Sequence, residues 1–287
     1  MSKKVILATD FSDTAEKLLN CLDELKPLGY EEIILTHVIN IHSAKIVNVD
    51  QFKRSNQEVL EGIKKNIAER GFEVQIEIPV GDPADELKKL AKKVEADLIL
   101  IASHGRGFIK RVFLGSTTYD LIRQTETPVL IEKYKNLEKG GGELACARKF
   151  NRILLPIDFS TCSQGVVEYI KDNSKLLEEV ILLAVIESSN NIEELEEQKE
   201  TAREKLAGTM EELQECGLNC EISYKVDEGA ASDNIIRVAE EEEVGLVIMA
   251  KRGEGRIKEM MLGSTADRVA KKSPVPVLLV PCEYINN

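Results

Sequence analysis

Short, fully apolar runs alternate along this 287-residue chain with longer stretches whose apolar residues recur every three or four positions. The short runs read as strands buried on both faces, and the longer period reads as helices with one face on a core. Val5-Ile6-Leu7-Ala8 is the first strand. Ser12 or Asp13 can cap the helix after it, whose inner stripe is Leu18, Leu19, Leu22 and Leu25. Ile33 to Val38 is a second strand. Gln51 to Arg70 has helical periodicity at Val59, Leu60, Ile63 and Ile67, and Gly71 ends it. Phe72 to Val80 alternates as a strand. Asp82-Pro83 opens another helix, with Leu87, Leu90 and Ala91 facing inward. Leu98 to Ala102 is the most apolar strand, Gly115 to Arg123 a helix, and Val129-Leu130-Ile131 the last strand. Four strand–helix repeats and a closing strand imply an open, mainly parallel five-stranded sheet with helices on both faces and right-handed crossovers.

The pattern then occurs again. Gly105-x9-Gly115-Ser116-Thr117 returns as Gly253-x9-Gly263-Ser264-Thr265, an offset of 148 residues (105 to 253). Thr9-Asp10-Phe11-Ser12 matches Ile157-Asp158-Phe159-Ser160, Gly81 matches Gly229, and Pro128-Val129-Leu130 matches Pro276-Val277-Leu278. So long a period is a domain, not a solenoid repeat. The expected organisation is therefore two tandem α/β domains, 1–135 and 150–287. Between them, 136–149 carries Gly140-Gly141-Gly142 and reads as a flexible linker. Strands of the second copy are expected near Ile153–Ile157, Val180–Ile186, Glu221–Val226, Leu246–Met249 and Val277–Val280. The Glu- and Lys-rich stretch from Ile192 to Cys216 is expected to be a helix with a solvated face.

Charge narrows the partners. The net charge of −12 argues against a nucleic-acid or membrane-surface binder, either of which needs a basic face. It leaves room for a small anion, because backbone N–H groups can hold phosphate without net positive charge. No apolar run approaches the roughly 20 residues of a membrane span, and the first residues turn polar too early for a signal peptide; a cytoplasmic location is the expectation. The six cysteines are scattered, and no histidine near Cys216-x3-Cys220 completes a zinc site. They are expected to be reduced thiols that serve packing.

Ligands of open parallel sheets bind beyond the carboxyl ends of the strands, where strand order reverses. In each copy three features map there: Asp10 or Asp158 after strand one, the segment from Val38 or Val185 after strand two, and the loop from strand four into helix four. In that loop glycines allow a close backbone approach, and Gly-Ser-Thr meets a helix start, where N–H groups and hydroxyls suit a phosphate. The serine has a second reading, as an N-cap that satisfies its own helix. His104 reads as a hydrogen-bonding loop residue, and Arg252 as a phosphate partner or a solvated cation. There is no Gly-x4-Gly-Lys-Ser/Thr loop, and no Ser-His-Asp arrangement among His37, His42 and His104; dedicated catalysis is not indicated.

These residues carry a resemblance. Ala8-Thr9-Asp10-Phe11-Ser12, Thr36-His37-Val38, Ser103-His104-Gly105 and Leu114-Gly115-Ser116 are similar to the universal stress protein family, and the chain resembles a tandem member of it over 1–135 and 150–285. The resemblance implies a flavodoxin- or Rossmann-like fold of the adenine nucleotide alpha hydrolase type. The nucleotide-binding branch has Gly-x2-Gly-x9-Gly-Ser/Thr; its first glycine is Ala102 in copy one and Ala250 in copy two, and the rest is present. The alanine Cβ either crowds the ribose or is harmless on ordinary strand backbone. By resemblance, Thr9-Asp10 and Ile157-Asp158 lie at the ribose, and the backbone of Val38 and Val185 reads adenine. The loops Gly105–Thr117 and Gly253–Thr265, with Gly115, Ser116, Gly263 and Ser264, hold the phosphates; Ala102, His104, Ala250 and Arg252 are further candidate cofactor-binding residues. The implied ligand is ATP or AMP, with Mg2+ as a candidate companion. The implied partners are an adenine nucleotide, the other domain through the final strands, and a second copy as a homodimer. The expected role is a nucleotide-dependent regulator in stress response; the alternatives are a scaffold that binds no nucleotide and a slow ATPase. If one pocket binds more tightly, Asp82-Pro83 against Ala230-Ala231 tilts the expectation to copy one.

Overall fold

The computed structural model describes residues 2–40, 49–103, 114–135, 143–146, 148–173, 175–187, 191–253 and 262–282. The chain forms two compact units, Met1–Leu144 and Ala145–Asn287. In the first, β1 (Lys3–Ala8) leads through α1 (Asp13–Lys17) and α2 (Leu22–Leu25) to β2 (Tyr30–Thr36). Then come α3 (Val49–Glu69), β3 (Glu73–Glu77), α4 (Pro83–Val94), β4 (Leu98–Ala102), α5 (Ser116–Gln124) and β5 (Val129–Glu132). These strands are parallel and lie in the order β3-β2-β1-β4-β5. The central pair is apolar from Val5 onward in β1 and throughout β4 because helices cover both faces: every residue of β4 is buried, as are Val5 to Ala8 of β1. Each fully buried Leu or Ile contributes about 1.5–3 kcal/mol.

A two-stranded antiparallel ladder follows, β6 (Tyr134–Lys135) with β7 (Glu143–Leu144). Its second strand, β7, stands where the sequence reads as linker; residues 136–142, with the glycine run, lie outside the described residues. The second unit then repeats the first. Its strands are β8 (Arg152–Pro156), β9 (Glu179–Ile186), β10 (Glu221–Glu228), β11 (Leu246–Ala250) and β12 (Val277–Val280). Its helices are α6 (Thr161–Asp172), α7 (Ile192–Glu215), α8 (Ala231–Glu241) and α9 (Ser264–Lys272). The parallel order is β10-β9-β8-β11-β12. Along α7 only Ala202, Leu206 and Leu213 are buried, and its charges pair along the surface, as in Lys199–Glu196 at 3.1 Å and Arg203–Glu200 at 2.8 Å. Among the described residues no helix is long and apolar enough to cross a membrane.

Two expectations are corrected. The first helix of copy one is not continuous: 3-10 turns at Leu18–Cys21 and Lys26–Leu28 interrupt it. Pro27 opens the second turn, and Gly29, at φ 90°, closes it. Its counterpart α6 is a single 12-residue helix. The cysteines are not all reduced, because Cys162 and Cys282 form a disulfide with a Cα–Cα distance of 4.5 Å. These positions lie 120 residues apart in sequence, so only the fold brings them together. Cys21, Cys146, Cys216 and Cys220 are free thiols.

Candidate functional site

In both units the chain leaves β1 or β8 toward one edge of the sheet and returns to the other side through β4 or β11. The order reverses between β1 and β4, and between β8 and β11. That reversal opens a crevice at the carboxyl ends of the strands. In the second unit it is a cavity of about 380 Å³, lined from six elements and their loops, with Ser163 of α6 and Ala231 and Ile235 of α8 among the residues. Pro156, Ile157 and Asp158 come from the end of β8, and Leu183, Val185 and Glu187 from the end of β9. Met249, Ala250, Arg252 and Gly253 follow β11, while Gly263, Ser264, Thr265 and Ala266 open α9. Its size is that of a small-ligand pocket. Every site residue that the sequence singles out in copy two lies on this one wall.

Asp158 is held by its own turn. Its Oδ1 accepts from the Ser160 amide at 3.1 Å and the Ser160 hydroxyl at 2.6 Å. The Ser160 Oγ in turn accepts from the Ser163 amide at 3.2 Å and caps α6. Such Asx and serine turns fix a carboxylate through the backbone and hydroxyl of its own turn. The residue between, Phe159, is forced to φ 60°, a left-handed conformation that costs a non-glycine residue roughly 1–2 kcal/mol. The other carboxylate oxygen faces Gly253: a Cβ built there would stand 2.2 Å from Asp158 Oδ2. Glycine at 253 is therefore required by the aspartate, since any side chain would push it aside.

The loop returns to the sheet at α9. Gly263 donates its amide to the Lys251 carbonyl at 3.0 Å, which closes the loop against β11. Gly263, not Ser264, is the N-cap, and no side chain there accepts from the first turn. The capping reading of Ser264 is thereby removed, for a residue inside the helix cannot satisfy the helix start as an N-cap does. Ser116 stands likewise, first in α5 behind the N-cap Gly115. A Cβ at Gly263 would meet its nearest neighbours at 3.5 Å, an ordinary contact, so the protein's own packing does not demand glycine there. Ala250 ends β11 in register with Val280 and is not among the residues at positive φ. Its methyl is part of the cavity wall on ordinary strand backbone.

The first unit repeats the scaffold. Asp10 Oδ1 accepts from the Ser12 amide at 3.1 Å and the Ser12 hydroxyl at 2.5 Å, and Phe11 stands at φ 58°. Gly115 donates to the Ser103 carbonyl at 2.9 Å, as Gly263 does to Lys251. Thr9 accepts the Phe11 amide on Oγ1 at 3.1 Å. Val38 follows β2 in the place of Val185, and Ser116 and Thr117 open α5. The units differ in what surrounds this frame. His37 stacks on Phe11 at 4.1 Å between ring centroids and donates from Nδ1 to the Thr9 carbonyl at 2.9 Å. Thr118 donates to the Ala102 carbonyl at 3.0 Å, where the second unit has Ala266. His104 and Gly105 lie outside the described residues.

Pro156, Ser163, Leu183, Glu187, Ala231, Ile235, Met249 and Ala266 also line the cavity and were not singled out from sequence. Most are core-type residues on helices or strands, without a motif. Alternation does place Leu183 and Glu187 on the side of Val185, so that period is the signal that could have found them.

Fold and cavity together define a doubly wound α/β protein with a small-ligand crevice at its strand-order reversal. The model of the universal stress protein family matches residues 1–133 and again 149–281. The chain therefore belongs to the universal stress protein family, as a tandem of two of its domains. A universal stress protein of Methanocaldococcus jannaschii is 35% identical over 158 residues, 47% of this chain and 98% of that one. A crystal structure of a universal stress protein from Archaeoglobus fulgidus DSM 4304 covers 98% of this chain and 99% of its own, at 26% identity and a TM-score of 0.73. A universal stress protein crystallised in complex with cAMP matches 45% of this chain and 95% of its own, at 23% identity and a TM-score of 0.37.

Proposed function

We propose that the protein binds an adenine nucleotide in the second unit's cavity, and a second one at the matching residues of the first unit, and that the bound nucleotide regulates what the protein associates with. The observation that carries this is the mixed lining of the cavity. Ile157, Leu183, Val185, Ile235 and Met249 give apolar surface that suits a base. Asp158, Arg252, Gly253, Gly263, Ser264 and Thr265 give polar groups and close backbone that suit a ribose and phosphates. Val185 would meet adenine through its backbone, and Asp158 would accept from the ribose hydroxyls. The first-turn amides of α9, with the Ser264 and Thr265 hydroxyls and Arg252, would hold phosphate oxygens. Gly263 supports this reading, because its missing Cβ is not required by the protein's packing and so leaves room on the open side for a ligand.

Among the described residues no group of three or more His, Cys, Asp or Glu side chains could hold a metal ion. A Mg2+ ion would accordingly arrive with the nucleotide and be held mainly by its phosphates. The role is one of binding: a nucleotide that prefers one conformation shifts the population toward it.

Native mass spectrometry of the full chain, titrated with Mg·ATP, ADP and AMP, tests the reading. One or two adenine nucleotides per chain are expected. A chain that carries none after purification and takes up none at millimolar concentration would overturn it and favour a scaffold that works without nucleotide.

A further inference from the structure

The Cys162–Cys282 disulfide sits beside the cavity. Cys162 is the second residue of α6 and lies between two residues of the candidate site's frame: Ser160, which holds Asp158, and Ser163, which lines the cavity. Cys282 follows β12 by two residues. Val280 of that strand is in register with Ala250, and its carbonyl accepts the Lys251 amide at 2.9 Å. The bridge thus ties the segment that carries Asp158 to the strand that supports Ala250–Arg252, the two sides between which the cavity opens. Both cysteines are partly exposed. In the first unit the matching positions are Thr14 and Tyr134, which cannot form such a bond.

We propose that Cys162 and Cys282 form a thiol–disulfide exchange site that clamps the Asp158–Ser163 wall and so sets the affinity of the second cavity alone. The affinity part rests on the nucleotide reading above; the clamp does not. The partner class is a dithiol reductant, with a disulfide oxidant for the return. A thiolate of the reductant attacks the Cys282 sulfur and breaks the S–S bond, and Cys162 leaves as a thiolate. Cys162 stands in the first turn of α6, where the helix dipole favours a negatively charged leaving group. The second thiol of the reductant then displaces Cys282 from the mixed disulfide. Overall the protein gains two electrons and two protons, and the reductant becomes a disulfide. Once the bond is open, the Asp158–Ser160 turn and the Ser160 cap remain, but the covalent tie from the first turn of α6 to the segment after β12 is gone, and the whole Asp158–Ser163 wall is freer to move against Gly253.

The test compares the full chain, oxidised and after dithiothreitol, with the Cys162→Ser/Cys282→Ser double variant. Peptide mass mapping reads the 162–282 cross-link, amide hydrogen exchange reads Ser160–Val167, and calorimetric titration with Mg·ATP reads the cavity. The oxidised chain is expected to carry the cross-link. Reduction or the double substitution should speed exchange at Ser160–Val167 about tenfold and weaken ATP binding at the second unit about tenfold, with amides of Ser12–Ala15 unchanged. Reoxidation should restore the natural chain and not the variant. Absence of the cross-link after oxidation, or exchange that ignores reduction, would overturn the proposal. Equal ATP affinity in both states would overturn the control of the cavity while the nucleotide reading stands. Exchange that responds in a chain that binds no ATP would uphold the clamp and overturn the nucleotide reading.

Discussion

At the scale of single residues, Asp158 and Gly253 form one device. The aspartate is fixed by Ser160, and the glycine is what lets its second oxygen lie against the loop. Gly253→Ala is expected to displace the carboxylate and weaken nucleotide binding at the second unit about tenfold, read by calorimetric titration. Unchanged affinity would separate Asp158 from the site. Ser160→Ala removes both the cap of α6 and the hydroxyl bond to Asp158 and should cost about 1 kcal/mol, read by denaturant unfolding. Lys133 behaves differently. It is 5% exposed, and burial pushes its ammonium down from 10.5 to about 7. Between about pH 7 and 10.5 the unfolded chain therefore holds a proton that the folded one lacks. Stability from this group rises with pH across that window, by at most about 1.4 kcal/mol per pH unit. Lys133→Met should be more stable than the natural chain at pH 7, and the gap should narrow by pH 9.5. A constant gap would mean that Lys133 is charged in the fold. The sequence shows none of this, because a lysine two residues past an apolar strand reads as a surface residue until its burial is known.

At the scale of elements, the two copies cap the same helix in different ways. Asp82 Oδ1 accepts from the amides of Ala84 at 3.0 Å and Asp85 at 3.3 Å at the start of α4. Ala230 stands at the start of α8 with nearly the same backbone, φ −65° and ψ 119° against −71° and 128°, and offers no side-chain cap. Ala230→Asp should add about 1 kcal/mol, seen as a higher denaturant midpoint; no gain would mean that the α8 amides already have acceptors of equal worth. Strands and helices were legible from the pattern because period 2 and period 3.6 are local properties. Element ends were less so. The alternation of Phe72 to Val80 outruns the ladder of β3, which closes at Glu77 and leaves an isolated bridge from Ile39 to Val80. A ladder ends where its partner strand ends, and the partner is not visible in the strand's own residues.

At the scale of the molecule, the duplication gives two compact units, each with five parallel strands and a buried core. Residues 145–287 expressed alone are expected to melt cooperatively with an α/β circular dichroism spectrum. A broad, non-cooperative trace would show that the unit depends on the rest of the chain. The candidate site was legible at this scale as well: nine residues from four separated segments of copy two were named from motif spacing and resemblance, and they line one cavity. The cavity's helical wall, Ala231 and Ile235, was not, because it is set by how α8 packs rather than by any motif.

The sequence by itself determined the element order, the duplication, the family and nine of the residues that line the second unit's cavity, because periodicity, glycine placement and repeated spacing are written along the chain. Tertiary structure decided what depends on distance between remote residues. It made Gly263 rather than Ser264 the N-cap, set Asp158 against Gly253, buried Lys133, and brought Cys162 within bonding reach of Cys282. Contacts between residues a hundred positions apart follow from how the sheet winds, and no local pattern records them.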